Sequence, residues 1–380
     1  MLKYNFAKFS LFCVFAVASK NSWAYAHFIS YGYSSCLTCH YNAAGNGPLT
    51  DYGRALYATA ISAKYGSLSD EERGEASGFL GETSLGSHIR PSIDFRGVLV
   101  QSNLNQSSSR QTTFIPMQSD ANLVLSFLEG KLFGSFTAGA DSRVNAEGKR
   151  KPSFISREHY LAYRMENGLS VYTGHMDVLY GLRIPEHVAF SRAQTLMAEN
   201  DQNHGAFLHY AKEKWEAGLH ALAGNLYEDA DTRIKGLSTQ VEFDTWKHGR
   251  IGTSVAYLKN NYRSRVQGSV HLKSQILKEG SGLIGELGWI QETNAATSAK
   301  TQSPYLFLQP NMRITRGLHV FVNAEYFHRL KSVHQFKASP GLQYFPMQRV
   351  ELRWDIVSAW NSGANSTLSL SSLLHAHLSF

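Results

Sequence analysis

From about Ser87 to the end of the chain, apolar and polar residues alternate with a period of two. The last segment is the clearest. Leu368, Leu370, Leu374, Ala376, Leu378 and Phe380 fall on one face, and Ser369, Ser371, His375, His377 and Ser379 on the other. Leu318, Val320, Val322, Ala324 and Tyr326 likewise oppose His319, Asn323 and Glu325. Val350, Leu352, Trp354 and Ile356 oppose Glu351, Arg353 and Asp355. Leu237, Val241 and Phe243 oppose Ser238, Gln240, Glu242 and Asp244, and Ala121, Leu123, Leu125 and Phe127 form one more apolar row. A period of two is the mark of a strand with one face in a different medium from the other.

Two architectures use that pattern. A soluble sandwich puts the apolar face in its core, and a membrane barrel turns it to lipid. Two features favour the barrel. Trp215, Trp246, Trp289, Trp354 and Trp360 fall near the predicted segment ends, where an interfacial girdle belongs. The connections also alternate in length. Glu129-Gly130, Asn167-Gly168, Lys212 to Lys214, Lys247 to Gly249 and Thr315 to Gly317 are short. Asn103–Thr113, Asn145–Ser156, Asp177–His204, Tyr227–Arg233 and Glu292–Ser303 are long and polar. The expected fold is all-β: a transmembrane antiparallel β-barrel of about sixteen strands over 87–380, behind a small α-helical head at the N-terminus. No apolar run after the first residues is long enough for a membrane helix.

The segment before the barrel reads differently. Lys3 and Lys8, an apolar run from Phe9 to Ala18, and Ala24-Tyr25-Ala26 predict a signal peptide over 1–26, cleaved before His27. Cys13 would leave with it. The head then covers 27–86. It holds a turn-rich stretch from Tyr41 to Pro48, a helix over Leu49–Ala60 with Thr50 as N-cap, and a polar linker from Ser67 to Gly78. The formal charge of +7 drops to +4 once Lys3, Lys8 and Lys20 are removed, so nothing points to nucleic acid.

The chemistry sits in Cys36-Leu37-Thr38-Cys39-His40, which reads C-x-x-C-H. Two thiols at this spacing can bond one porphyrin, and the adjacent imidazole can reach its iron. The predicted cofactor is one covalent haem c, bound by Cys36, Cys39 and His40, with His40 as the proximal iron ligand. A Cys36–Cys39 disulfide and half of a zinc site compete, but the zinc reading lacks a second Cys/His pair. His27, the other histidine of the head, is the candidate distal ligand. His187, Met117 and Met176 are alternatives from the barrel or its loops, as is an open position. His319, His375 and His377 should face inward, either as wet lumen lining or as a transition-metal site.

A signal peptide, one C-x-x-C-H, a short head and a barrel ending in Phe380 together resemble the outer-membrane porin–cytochrome c fusions, which include iron-oxidising outer-membrane cytochromes. Pro48, Leu49 and Gly53 loosely match that family's residues after the haem motif, although the interval from His40 to Pro48 is longer. The resemblance implies electron transfer across the bacterial outer membrane, with the head on the periplasmic side or inside the lumen. It also implies outer-membrane lipid, a periplasmic cytochrome or other redox carrier, and an extracellular electron donor or acceptor as partners. Fe(II) is one such donor, which would make the chain an Fe(II):cytochrome c oxidoreductase. A solute porin with a haem-containing plug and a haem enzyme are the alternatives. The loop Asp177–His204 either faces solvent or folds into the lumen toward the haem.

Overall fold

The computed structural model describes residues 25–45, 47–64, 66–81, 88–106, 109–144, 150–186, 188–198, 200–329, 333–362 and 366–379. The signal peptide up to Ala24, His187 and Phe380 lie outside them. Sixteen antiparallel strands close into a barrel, each paired with its neighbours in sequence and β1 (Ile89–Ser102) paired with β16 (Thr367–Ser379). Closure leaves no strand edge unpaired, which is the condition for a sheet in lipid. The register puts the predicted rows where the alternation required, except that Val350 at the start of β15 is buried. Leu237, Phe243, Val322, Leu352, Trp354 and Leu374 are exposed on the outside, while Ser238, Glu242, His319, Asn323, Arg353 and Asp355 are buried inside.

The short connections fall at one mouth, as expected. β2 (Gln111–Phe127) turns into β3 (Leu132–Val144), β4 (Arg150–Arg164) into β5 (Leu169–Met176), and β6 (Asn203–Lys212) into β7 (Trp215–Gly224). β8 (Lys235–Trp246) turns into β9 (Gly249–Lys259), β10 (Arg263–Gln275) into β11 (Ser281–Asn294), β12 (Lys300–Thr315) into β13 (Leu318–Arg329), and β14 (Val333–Met347) into β15 (Val350–Asn361). Two connections expected to be long are largely strand: β4 already begins at Arg150, and β11 and β12 leave only Ala295–Ala299 between them. Trp215, Trp246 and Trp360 do stand at or next to strand ends, but Trp289 and Trp354 lie within β11 and β15.

The head is helical. α1 (Tyr25–Ser30) packs against β10, β11 and β12. α2 (Asp51–Leu56) is capped by Thr50, whose hydroxyl accepts from the Gly53 N–H, and runs on as a π-helical turn over Tyr57–Ile61. The segment expected to be a plain linker contains α3 (Asp70–Glu75), started by a capping box in which Ser69 and Glu72 bond each other's backbone N–H.

The described head is joined to the short-turn mouth by polar contacts. The Gly280 N–H donates to the Ser30 carbonyl, and the Ala63 N–H to the Phe345 carbonyl. Arg316 on the β12–β13 turn reaches the carbonyls of Thr59 and Ser62 and the carboxylate of Asp70. Buried Arg349, on the β14–β15 turn, donates to the carbonyls of Ala76 and Gly78. Apolar packing completes the union: Phe28, Cys39, Leu49, Tyr57 and Ile61 share a core with Phe345 of β14. Here the inward face is aromatic rather than polar.

Candidate functional site

Cys36–Thr38 forms a single helical turn. The His40 N–H closes it onto the Cys36 carbonyl at 2.9 Å, and the Thr50 N–H donates to the Cys39 carbonyl at 2.9 Å. The motif is therefore clamped to the start of α2. Gly45 has φ of +86°, and a β-carbon there would come within 2.8 Å of Cys36 Sγ. Glycine is the residue that allows this return of the chain over the thiol. Cys36 and Cys39 are free thiols in the structure. Burial pushes both thiols up, Cys39 to about 12. Burial also holds the His40 imidazole down at about 4, against the opposing effect of the Gly47 backbone. His40 is thus neutral over the ordinary pH range, the form in which imidazole binds a metal.

Cys36, Cys39 and His40 line one cavity between the head and the barrel wall, with about 800 Å³ of space between atoms, part of it reaching solvent. Phe28, Ile29 and Tyr33 supply its head side, and His209, Glu216, Gln240, Glu242 and Lys273 its wall. The wall is an ion network. Lys273 Nζ lies 2.6 Å from Glu242 and 3.9 Å from Cys36 Sγ. His271 bonds the other Glu242 oxygen at 2.7 Å, and Arg250 joins Glu216 to Asp244. A second opening beside Ser35, Leu37 and Thr38 leads to the short turns at Asn167 and Glu213.

The roof of the cavity is the β5–β6 connection, which folds into the lumen. Leu179, Gly181, Leu182, Arg183 and Ile184 line the cavity from above. The Gly181 N–H donates to Ser254 Oγ at 3.0 Å, the Leu182 N–H to Glu286 at 2.9 Å, and the Phe190 N–H to Glu325 at 2.7 Å. Glu186 binds Arg353 and Gln309. The loop thus takes the inward course, tied to the wall by its own backbone donors. On its far side lies an open vestibule of about 1900 Å³ lined by residues of both charge signs, among them Glu325, Lys337, Arg353 and Asp355.

The structure does not bring every predicted site residue to the motif. His27 is buried at β14, with Nε2 2.7 Å from Gln343 Oε1 and its ring 4.3 Å from His319 and 4.9 Å from Phe345. It does not line the motif cavity. Burial lowers its pKa, against the Gln343 hydrogen bond, which raises it. Met117 faces the vestibule and Met176 lies in an apolar cluster with Tyr160 and Tyr172. His319 is fully buried under the head rather than wet, whereas His375 and His377 pair with Asp355 and Glu351. Among the described residues, no group of three or more His, Cys, Asp or Glu side chains is placed to hold a metal ion. His209 is not among the residues the sequence singled out, and no local signal ties it to the motif.

Neither a family model nor a curated protein matches the chain. Solved structures do match its fold. The anion-selective porin from Comamonas acidovorans superposes with a TM-score of 0.59 at 11% identity, over 77% of this chain and 99% of the porin. The outer-membrane channel DcaP of Acinetobacter baumannii gives 0.56 at 11%, over 77% of this chain and 97% of the channel. Pseudomonas putida OprB, in its high-pH structure, gives 0.60 at 9%, over 78% of this chain and 95% of OprB. The chain therefore has the closed sixteen-stranded fold of bacterial outer-membrane porins. Like theirs, its strands can be satisfied in a bilayer, and its exposed apolar exterior is the surface that a bilayer covers.

Proposed function

We propose that this chain is a porin-type outer-membrane channel whose short-turn, periplasmic mouth is filled by a haem-bearing plug. The observation that carries the reading is the pairing of a porin fold with a head docked across its mouth by Arg316 and Arg349. The open vestibule beside the inward loop, with its mixed charges, supports passage of small polar solutes without a strong charge preference. Likeness to an anion-selective porin and to a named outer-membrane channel supports the same reading.

One observation favours a second reading, electron exchange through the plug. Cys36, Cys39 and His40 share one cavity between head and wall, and a second opening beside it leads toward the short turns. Cys36 and Cys39 would hold the porphyrin, and His40 would bind its iron. The haem supplies one-electron chemistry when bound. The chain's residues cover it with the loop roof and place charged groups at its edge. A periplasmic redox carrier and an external donor such as Fe(II) would then be the partners. Among the described residues, the carboxylates of the motif cavity, Glu216 and Glu242, are held by Arg250, His209, His271 and Lys273.

Planar-bilayer recording on the purified full-length protein separates the two. Steady conductance that rises when 27–86 is removed supports the channel. A closed pore, together with a haem spectrum that an external Fe(II) donor reduces, supports the electron conduit. Closed pores and no covalent haem would sink both.

A further inference from the structure

We propose that His209 of β6 is the second axial ligand of a haem held by Cys36, Cys39 and His40, so that the barrel wall itself completes the iron's coordination. The inference rests on the haem reading above and goes beyond it by naming the ligand and the element that carries it. Three observations support it. His209 lines the same cavity as His40, one supplied by the wall and the other by the head. It is 4% exposed, and its Nδ1 meets no hydrogen-bond partner among the described residues. A buried imidazole nitrogen without a partner is costly unless something binds it.

The other ring nitrogen has a partner of the right kind. His209 Nε2 lies 3.3 Å from Glu216 Oε2, and the other Glu216 oxygen is held by Arg250. A carboxylate that takes one ring N–H fixes the tautomer and leaves the other nitrogen as a lone-pair donor, the usual support for a metal-bound histidine. Among the described residues, the rival ligands are engaged or elsewhere, and His187 lies outside them. His27 is bonded to Gln343, Lys273 is paired with Glu242, and Met176 is packed among aromatic rings. An imidazole on each side gives a low-spin iron that changes oxidation state with little rearrangement, suited to electron exchange rather than to binding a small molecule.

The test uses full-length protein, with haem staining on a denaturing gel as a separate measure of attachment. Wild type should give a low-spin ferric spectrum by absorption and electron paramagnetic resonance. His209→Ala should keep its covalent haem but turn high-spin, and added imidazole should restore the low-spin signal. His375→Ala, which removes an inward histidine facing the vestibule, should stay low-spin and controls for general damage. Heat-modifiable gel mobility confirms that each variant is a folded barrel. If His209→Ala unfolds, His209→Met in a folded barrel must change the ligand-field spectrum. Low-spin haem that persists in folded His209→Ala or is unaltered in His209→Met would overturn the ligand assignment alone. Absence of covalent haem from wild type would overturn the haem reading and this inference with it.

Discussion

A β-carbon on residue 53 would lie 2.6 Å from the carbonyl oxygen of Cys39 and 3.0 Å from its Cα. Gly53 therefore lets the first turn of α2 rest directly on the C-x-x-C-H backbone. The clash is with main chain, which cannot swing aside as a side chain can. Gly53→Ala should push α2 off the motif at a cost of about 1–3 kcal/mol, the usual range for overpacking. The expected outcome is reduced haem staining per barrel; unchanged staining and head stability would mean that the contact relaxes freely.

Asp70 gives the head an acid-sensitive clasp. Hydrogen bonds from Arg316 and then Arg73 hold its carboxyl well below the ordinary value of 3.8. A depressed folded pKa means stability that is present above the unfolded value and lost as pH falls through the folded one. Head docking should hold from neutral pH down to about pH 4 and weaken below it. Protease sensitivity of residues 66–81 against pH reads this directly. Asp70→Asn should remove the acid dependence; a clasp that loosens instead on raising the pH would refute the assignment.

The barrel makes a face-dependent prediction. Val322 is exposed on the outside of β13, and Ser371 of β16 lines the vestibule. Val322→Arg should cost about 2–4 kcal/mol near the bilayer midplane, and Ser371→Arg far less. Equilibrium unfolding from lipid vesicles measures both. Equal costs would argue that the outer face does not meet lipid.

Glu186 should hold the inward loop. Its carboxylate binds Arg353, which also pairs with Asp355, so Glu186→Ala leaves the arginine one partner short. The loss should be less than the roughly 3–5 kcal/mol of an isolated buried pair. Hydrogen exchange at the Leu182 and Phe190 amides should quicken while strand amides stay protected. Uniform exchange across loop and wall would mean that the loop is not a separate unit.

The strands were readable because a barrel repeats one local rule. Leu237 beside Ser238, or Val322 beside Asn323, reports its face without reference to anything distant. The motif was equally readable, since Cys36, Cys39 and His40 are adjacent in sequence. The capping box at Ser69 and Glu72 was also local, and the polar composition of the segment hid it. The rest depended on docking. Phe133, Tyr172, Phe207 and Phe345 face inward, against the polar-in rule, because head or loop side chains replace water there. His27 and His209 are both histidines near polar neighbours, and only the seating of the head decides that one meets Gln343 and the other the motif cavity.

The head lies inside a ring that β16 closes onto β1, so the order of events in biogenesis is constrained. Cys39 is 2% exposed once the ring is shut, and an enzyme joining thiols to porphyrin vinyl groups could not reach it. A haem joined to Cys36 and Cys39, as proposed above, would have to be installed before the ring shuts around the head. The last strand would then seal a preloaded unit behind it. A maleimide added to folded, haem-free barrel should leave Cys39 unmodified, and ready labelling would show that the mouth opens enough for late loading.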